Sequence, residues 1–356
     1  MKDCTKLIVF KTLGLSFVSL SALLVLGFGA IAETCVAANG ASREGITICD
    51  LGVLPGGKSS FANAVSEDGS TIVGVSGSSQ GDRAFLWTEE GGMISLGTLP
   101  GGSESQAQDV NADGSVIVGS SDTAEGQRAF IWTKETGMLV LDDTMMDIKS
   151  SARAVSADGT VVVGSTGGTA DRRAFRWTNE TGMKIIGTEE LGKDSAALGV
   201  SDDGTTIVGR VDFKAFRWNE AQGIALMAPE ESSVAFDASN DGTIIVGGMG
   251  PVYSKRKAVR WNKSGAGQDV YSNPDSLRST ALDISPEGKV IVGAIDRHTA
   301  YIKRHDEELT ILGGLNRGDA DFVSDVAKGS GLGGTIIVGS STGYHGHRAV
   351  RWLLSE

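Results

Sequence analysis

Four histidines near the C-terminal end are the side chains of this sequence that could most directly hold a metal: His298, His305, His345 and His347. The last two are separated by one residue, a spacing that places both rings on the same side of a β-strand, as some metal sites need. A third ligand is not evident nearby in the sequence, and solvated histidines are the ordinary finding in a polar loop. We therefore predict no metal site and no cofactor.

Aspartate-glycine pairs recur along the chain and allow two chemical interpretations, calcium ligands or the aspartate boxes of sialidases. They begin at Asp68, Asp113, Asp158, Asp203 and Asp241. A calcium loop needs several closely spaced oxygen ligands, and each pair has at most one neighbouring carboxylate. A sialidase-type box has an aromatic residue soon after its glycine, where Ile-Val-Gly follows here. Turn chemistry alone explains both residues, because Asp-Gly suits the type I′ turn of a tight hairpin.

A second recurring motif places a basic residue before Ala-Phe-x-Trp. Its aromatic residues could stack on carbohydrate, but their regular recurrence favours side chains packed between neighbouring sheets. The basic residue could bind an anion, and we interpret it instead as the partner of a carboxylate near a strand end. The basic residues are Arg83, Arg128, Arg173, Lys214, Lys257 and Arg348.

No known catalytic motif occurs in the sequence. A nucleophile elbow, a glycine-rich phosphate loop, paired zinc-ligand spacings and His-Glu-x-x-His are all absent. We therefore predict no catalytic residue and a protein that is not an enzyme. The one route to catalysis that the sequence leaves open is a set of carboxylates that are distant in sequence and meet inside a ring.

These motifs recur in a fixed order, so a repeated unit must position them. Each copy holds four short apolar runs separated by turn residues, which predicts a four-stranded antiparallel sheet. A glycine that ends the second run returns at intervals of 45, 45, 45, 38, 46 and 46 residues, the period of a β-propeller blade. These glycines are Gly74, Gly119, Gly164, Gly209, Gly247, Gly293 and Gly339. The third run carries Trp87, Trp132, Trp177, Trp218, Trp261 and Trp352, with Lys303 in that place in the sixth copy.

We predict an all-β fold, a seven-bladed β-propeller of four-stranded antiparallel blades whose ring is closed by the N-terminal strand. Residues 46–57 resemble a fourth run, and the chain ends soon after a third run at Trp352, so the first segment would complete the last blade. Such a clasp leaves no open junction in the ring. Small residues of the first run are predicted to line the crowded interior. The propeller is predicted over 46–356, with repeats starting near 61, 106, 151, 196, 233, 279 and 323.

Residues 1–32 are predicted to be a secretory signal peptide. Lysines precede an apolar run, and Ala30-Ile31-Ala32 offers a cleavage site, with a second candidate cut after Ala37. An uncleaved anchor is the alternative, because the run approaches the length of a bilayer span. Residues 33–45 are predicted to be a mobile lead-in. Cys35 and Cys49 could form one disulfide in an oxidising compartment.

Charge excludes two classes of partner. The net charge is −12, and the three lysines and one aspartate of the signal take it to −14 on removal. Such an acidic chain argues against nucleic acid and against an anionic membrane surface as the main partner. No other stretch is long and apolar enough to span a membrane. We expect a monomer in the periplasm, at the cell surface or outside the cell.

Binding residues are expected in the connections between the second and third strands of each copy, because these vary in length whereas the turns at the other end are nearly identical. These connections are predicted to share one face of the propeller, which we call the loop face. The predicted contact residues are Tyr253, Arg256, Arg297, His298, Tyr344, His345 and His347.

The repeat resembles the HAF-type extracellular repeat family of bacteria, over about 300 residues. The matching residues of the first copy are Asp68, Gly69, Gly74, Ala84, Phe85 and Trp87. The histidine that opens the family's motif is mostly arginine or lysine here. The resemblance implies an exported surface protein, similar to autotransporter passengers, and implies no particular chemistry.

We therefore predict a cell-surface or extracellular scaffold that binds a ligand in the manner of an adhesin. The expected ligand is a host or envelope protein or a glycan. The alternative is a glycan-processing lyase or hydrolase with its site at the mouth of the central channel.

Overall fold

The computed structural model describes residues 34–141, 149–168, 171–186, 194–251, 255–271, 278–296, 299–305, 307–315, 321–329, 334–343 and 346–355. The predicted signal peptide lies outside these residues. Within them the chain forms seven antiparallel sheets. This part of the chain holds no helix of the length and hydropathy that crossing a membrane takes.

Each sheet is one blade, and the strands are numbered along the chain. The N-terminal strands are β1 (Thr34–Ala37) and β2 (Ile46–Asp50). Blade 1 holds β3 (Ser60–Val65), β4 (Thr71–Ser78), β5 (Gly81–Thr88) and β6 (Gly92–Gly97). Blade 2 holds β7 (Ser105–Val110), β8 (Val116–Thr123), β9 (Gly126–Thr133) and β10 (Gly137–Val140). Blade 3 holds β11 (Ser150–Val155), β12 (Val161–Thr166), β13 (Arg173–Thr178) and β14 (Gly182–Ile185).

The remaining blades follow the same order. Blade 4 holds β15 (Ser195–Val200), β16 (Ile207–Val211), β17 (Lys214–Asn219) and β18 (Gly223–Met227). Blade 5 holds β19 (Ser233–Ala238), β20 (Ile245–Met249), β21 (Lys257–Trp261) and β22 (Gly267–Asp269). Blade 6 holds β23 (Ser279–Ile284), β24 (Val290–Ile295), β25 (Thr299–Arg304) and β26 (Thr310–Ile311). Blade 7 holds β27 (Asp321–Gly329), β28 (Gly334–Gly343) and β29 (Gly346–Ser355).

The ring closes as the sequence predicts. The seventh sheet has the order β1-β2-β29-β28-β27, so an N-terminal strand pairs with the last strand of the chain. Ile46 lies opposite Leu354 and Asp50 opposite Val350. Strand β28 also packs against β3, which joins blade 7 to blade 1. The seven-bladed propeller and its N-terminal clasp are therefore confirmed.

The segment before the clasp pairs with blades 6 and 7. Strand β1 adds a fifth strand to blade 7, and a disulfide joins Cys35 to Cys49 across β1 and β2. Farther along, Asn39 exchanges backbone hydrogen bonds with Gly314, and the Ser42 amide donates to the Ile311 carbonyl. The short edge strand β26 leaves backbone groups unpaired, and the lead-in satisfies them.

The Asp-Gly turns have a different geometry from the predicted type I′ turn. In blade 1, the Gly69 amide donates to the Ser66 carbonyl at 2.8 Å, and Gly69 has a φ of 73° whereas Asp68 does not have a positive φ. The Asp68 carboxylate accepts hydrogen bonds from the Ser66 hydroxyl at 2.7 Å and the Ser70 amide at 2.9 Å. The aspartate thus holds a type I turn from inside, and only the glycine needs the left-handed conformation. A hairpin role, rather than a calcium site, explains the pair.

The recurring glycine of the second run does not end a strand. Strand β4 continues through Gly74, which lies opposite Phe85 of β5. A Cβ atom on Gly74 would lie 2.0 Å from the Phe61 carbonyl oxygen and 2.9 Å from the Phe85 ring. The glycine is therefore required by close packing within the blade and not by a turn.

The core lies between successive blades, where the Phe-x-Trp motif packs as predicted. The tryptophan of one blade packs in the same cluster as the residue before the tryptophan of the preceding blade, Trp132 with Leu86 and Trp177 with Ile131. Trp352 covers Ile302 in the same way. Large aromatic rings thus close the outer part of these junctions, and each junction depends on two neighbouring blades.

Candidate functional site

The loop face carries the residues that the sequence predicts to contact a ligand. Two of the seven, Arg256 and His347, lie among the described residues. The other five lie outside them: Tyr253, Arg297, His298, Tyr344 and His345. Contact with a ligand remains a prediction for all seven.

Three neighbouring blades project long hairpins from this face. The ladders of blades 7, 1 and 2 continue to the pairs Gly343–Gly346, Ser78–Gly81 and Thr123–Gly126. Their strands have eight to ten residues, whereas the corresponding strands of blades 3 to 6 have five or six. We call these three hairpins the crest.

In the crest, regular strand pairing takes up most of the variable connection that the sequence predicts between the second and third strands. Two-residue connections suffice in blades 1 and 2, because Gly81 and Gly126 take φ angles of 105° and 126° that other residues rarely adopt. The Ser78 hydroxyl accepts a hydrogen bond from the Gln80 amide and donates one to the Gly81 carbonyl. The crest is consequently a set of paired ribbons.

The crest is polar and acidic between blades 1 and 2. A cleft of about 90 Å³ there is lined by Asp82, Glu104 and Asp122, together with serine and glutamine side chains. The Ser103 hydroxyl donates to the Asp122 carboxylate at 3.3 Å. Such a surface favours a ligand that offers hydrogen-bond donors or positive charge.

The two described contact candidates lie in different parts of the loop face. His347 is at the base of the crest, where its ring centre lies 5.1 Å from that of Phe61 in blade 1. Arg256 lies between blades 5 and 6 and is 8% exposed, with its backbone carbonyl accepting from the Ser279 amide. Burial, and then the charge of Arg278, lowers the pKa of Arg256. Arg256 is therefore a packed side chain, and the structure does not bring it to His347.

Three of the basic residues before Ala-Phe donate to carbonyl groups of the segment that enters the next blade, whereas Lys257 pairs with the Asp269 carboxylate of its own blade at 3.0 Å. Arg83 of blade 1 donates to the Ser103 carbonyl, and Lys214 of blade 4 donates to the Glu231 carbonyl at 3.3 Å. Arg348 of blade 7 donates to the Lys58 carbonyl at 2.9 Å. Arg348 also approaches the Asp50 carboxylate at 3.5 Å, as the sequence predicts for this motif. The carbonyl contacts join the hairpins of blades 1, 4 and 7 to the segment that enters the next blade, so the motif has a structural role at these positions.

The loop face also holds an ion-pair cluster that the sequence did not predict. The Asp194 carboxylate accepts hydrogen bonds from Nε and Nη2 of Arg172, at 2.9 and 3.2 Å, and from Nη1 of Arg210 at 3.0 Å. Burial acts to raise the pKa of Asp194, but the hydrogen bonds and charges of the two arginines outweigh it and lower the pKa. These residues belong to no repeated motif, so periodicity gave no signal for them.

The central channel is lined by the first strands, which differ from the predicted run of small residues. A bulge interrupts each first strand, and the residue after it is Ala64 or Ala154 in blades 1 and 3 but Asp109, Asp237 or Asp283 in blades 2, 5 and 6. These three carboxylates line the channel mouth with Glu67 and Asp202, around a cavity of about 110 Å³.

Two of these carboxylates accept hydrogen bonds from backbone amides. Asp109 accepts hydrogen bonds from the Val110 amide at 2.8 Å and from the Val155 amide of the next blade at 2.7 Å. Asp237 accepts from the Ile284 amide of the next blade at 3.1 Å. The carboxylates thus join inner strands of neighbouring blades, which share no ladder of their own.

A chain of backbone hydrogen bonds circles the same mouth. The Glu67 amide donates to Ala112, Ala112 to Ala157, and Ala157 to Asp202, over distances of 3.1 to 3.2 Å. The Asn240 amide donates to the Pro286 carbonyl, and the series does not continue from Pro286 because proline has no amide hydrogen. Among the described residues, no group of three His, Cys, Asp or Glu side chains could hold a metal ion.

Comparisons with solved structures show the fold. An oligogalacturonate lyase from Vibrio parahaemolyticus is 12% identical, with a TM-score of 0.57 over 91% of this chain and 97% of that one. An oligogalacturonate lyase in complex with manganese is 14% identical, with a TM-score of 0.58 over 91% and 96%. TolB from Acinetobacter baumannii is 14% identical, with a TM-score of 0.45 over 69% and 64%. No family model matches the chain, and no curated protein matches its sequence.

Proposed function

We propose that this protein is an exported, non-enzymatic binding scaffold whose loop face contacts a ligand outside the cytoplasm, in the manner of an adhesin and of HAF-type repeat proteins. The crest is the observation that carries this proposal. Three adjacent hairpins project from a rigid ring and present acidic and hydroxyl side chains at one edge of the loop face. Binding surfaces are commonly built in this way, from projecting segments on a fixed scaffold.

The channel supports a scaffold over an enzyme. Asp109 and Asp237 bond backbone amides of the following blades, a role that their position in the ring explains without a substrate. A catalytic carboxylate pair needs room for its substrate, and the cavity at the mouth measures about 110 Å³.

Export is supported by the disulfide between Cys35 and Cys49, because disulfides persist in oxidising compartments. The ligand classes remain a host or envelope protein or a glycan. The acidic crest favours a protein ligand with a basic surface among these.

The proposal is tested by screening the protein against arrays of extracellular proteins and glycans, together with the triple variant Glu104→Gln, Asp122→Asn, Glu125→Gln. The matched control is Glu135→Gln, Glu180→Gln, Glu220→Gln, which removes three exposed charges from turns at the other end of the blades. We expect binding that the crest variant loses and the control retains, with both variants as heat-stable as the parent. Equal binding by crest variant and parent would place the contact surface elsewhere.

The second candidate function is a glycan-processing lyase or hydrolase. The convergence of five carboxylates at the channel mouth favours it, and so does the likeness in fold to oligogalacturonate lyases. Incubation with neutral and acidic oligosaccharides, followed by ultraviolet absorbance for lyase products and a reducing-end assay for hydrolysis, separates the two functions. Turnover that Asp109→Asn or Asp283→Asn abolishes would replace the binding proposal.

A further inference from the structure

The sixth blade departs from the motif that closes the outer part of each junction. Six blades have tryptophan at the end of the third strand, and blade 6 has Lys303. Since this tryptophan covers the preceding blade, the substitution bears on the junction between blades 5 and 6. It also has no role in the loop-face contact proposed above.

At the junction between blades 7 and 1, the residue before the tryptophan of blade 7 is an arginine whose charge is accommodated by blade 1. The guanidinium of Arg351 in blade 7 lies 4.7 Å from the ring centre of Trp87 in blade 1. The Glu89 carboxylate approaches the same guanidinium at 3.7 Å, and the Arg351 side chain is 5% exposed. An aromatic face and a carboxylate thus accommodate the positive charge. We call this the closed junction.

At the equivalent positions of blades 5 and 6, both of these partners are replaced. Arg260 precedes Trp261 as Arg351 precedes Trp352, and it lines one cavity together with Lys303, the counterpart of Trp87. His305 takes the place of Glu89. A cavity of about 260 Å³ occupies the space, and we call this the open junction.

The cavity continues into a wider groove of about 740 Å³ that reaches the lead-in and blade 7. The two spaces share the lining residues Arg260, Lys289 and His305. Basic side chains dominate the combined lining: Arg43, Arg260, Lys289, Lys303, Arg304 and His305. This concentration of positive charge lies in a chain whose net charge is −12.

Three of these cations are unpaired in the part of the chain that the structure describes. Among the described residues, the side chains of Arg43, Arg260 and Lys289 make no ion pair or hydrogen bond. Arg304 is held by Glu307 and Thr335, and the Lys303 ammonium donates to the Glu307 carbonyl. Asp269 is paired with Lys257, so the carboxylates at the rim do not neutralise the free cations; Glu287 is the remaining acid in the lining.

Apolar surface lies between the cations. Ile244, Val270 and Ile291 line the two spaces, the first two partly buried and the last 6% exposed. A ligand that alternates negative groups with rigid rings bearing C–H faces matches this arrangement. Arginine forks are well suited to carboxylate and sulfate groups, and lysine supplies a point charge.

We propose that the groove of the open junction binds an acidic oligosaccharide, with its anionic groups on Arg260, Lys289 and Arg43 and its ring faces on the apolar side chains. The site is separate from the crest. The choice of a glycan over another polyanion rests on the proposed function, because a protein outside the cytoplasm meets acidic polysaccharides.

The test measures affinity by calorimetry for four probes of equal length: an alginate hexasaccharide, a heparin hexasaccharide, maltohexaose and hexaglutamate. We expect one or both acidic sugars to bind and the neutral sugar not to bind. Arg260→Gln with Lys289→Gln should weaken that binding by about tenfold or more, since two charge-assisted contacts are lost. The control variant Lys134→Gln with Lys184→Gln removes the same charge from exposed positions and should bind as the parent does.

Lys303→Trp tests the groove by filling it, with the loss of one positive charge instead of two. The tryptophan should fill the cavity beneath Arg260, as Trp87 does beneath Arg351, and should abolish sugar binding without lowering thermal stability. Equal affinity for maltohexaose, a preference for hexaglutamate, no binding of any probe, or unchanged affinity in the groove variants would overturn the proposal. Sugar binding that the crest variant retains would support the groove even where the crest screen finds no ligand.

Discussion

The junction between blades 7 and 1 and the junction between blades 5 and 6 differ in the two side chains that face an arginine of the third strand. In both, an arginine on the third strand points to the third strand of the next blade. Trp87 and Glu89 receive it in the closed junction, and Lys303 and His305 face it in the open junction. The same repeat therefore gives a closed junction between one pair of blades and a charged groove between another.

The contrast shows where a repeat protein can carry a binding site without losing its fold. Each first strand still packs on its neighbours, and Asp237 still bonds the Ile284 amide across the open junction. The outer end of the junction can change because the inner end keeps the blades in place. Loss of the covering ring thus leaves Arg260 without the aromatic face and the carboxylate that Arg351 has in the closed junction.

The largest expected effect comes from copying the open junction into the closed one. Trp87→Lys removes a ring that is 2% exposed and leaves the Arg351 guanidinium against a second cation. We expect unfolding free energy to fall by about 3–5 kcal/mol, the usual cost of removing a large buried aromatic side chain. Urea unfolding followed by tryptophan fluorescence and circular dichroism measures it.

The reciprocal change, Lys303→Trp, is the control for that experiment. It should leave stability unchanged or raise it by about 0.5–2 kcal/mol, the range of a cation–π contact with Arg260. A cost below about 1 kcal/mol for Trp87→Lys would mean that the ring does not hold the closed junction, and the comparison would fail.

A smaller effect is expected at the inner ends of two junctions. Asp109→Ala and Asp237→Ala each remove an acceptor for a backbone amide of the next blade, Val155 in one case and Ile284 in the other. We expect each variant to lose about 1–3 kcal/mol, the cost of leaving a buried donor without a partner. Urea unfolding of the pair measures this.

The comparison between these two variants is informative in itself. Asp109 also accepts from the Val110 amide, so a groove confined to the outer end should leave Asp237→Ala no more costly than Asp109→Ala. A clearly larger cost for Asp237→Ala would show that the open junction is weak throughout its depth.

Much of the fold could be predicted from the sequence because the repeat is visible as a period. The spacing of the tryptophans gives seven blades, and a fourth-run sequence at the N-terminus gives the clasp. Local geometry was harder to predict from the sequence. Asp-Gly suits more than one turn, and only the hydrogen bonds of Asp68 show that a type I turn was chosen. Gly74 gave the signal of a turn although it serves close packing.

The candidate sites depend on contacts between blades, which a period does not describe. Lys303 stood out in the sequence as a missing tryptophan, but its consequence for Arg260 needs the rule that each tryptophan covers the preceding blade. The carboxylates of the channel are separated by long stretches of sequence and meet only when the ring closes. The paired ribbons of the crest were hidden because polar hairpin ends have the composition of loops.

The smallest effect concerns the Asp-Gly turns, whose usual sequence is changed in blade 6 of the open junction. Five blades have Asp-Gly there, and blade 6 has Glu287-Gly288. The hydroxyl of Ser156, with further bonds from Thr160, lowers the pKa of Asp158 below its ordinary value of 3.8. The folded protein therefore binds fewer protons than the unfolded chain, and this contribution to stability is complete above the ordinary pKa and disappears as pH falls through the folded pKa.

We accordingly expect unfolding free energy to fall as pH is lowered from about 5 to about 2, and Asp158→Asn to reduce that slope. At neutral pH the variant should cost about 1 kcal/mol, because an amide oxygen replaces a charged acceptor of the same hydrogen bonds. Glu287→Gln is the matched change in blade 6. Equal reductions of slope in the two variants would show that the glutamate holds its turn as the aspartates do, and the irregularity of blade 6 would then be confined to its outer strands.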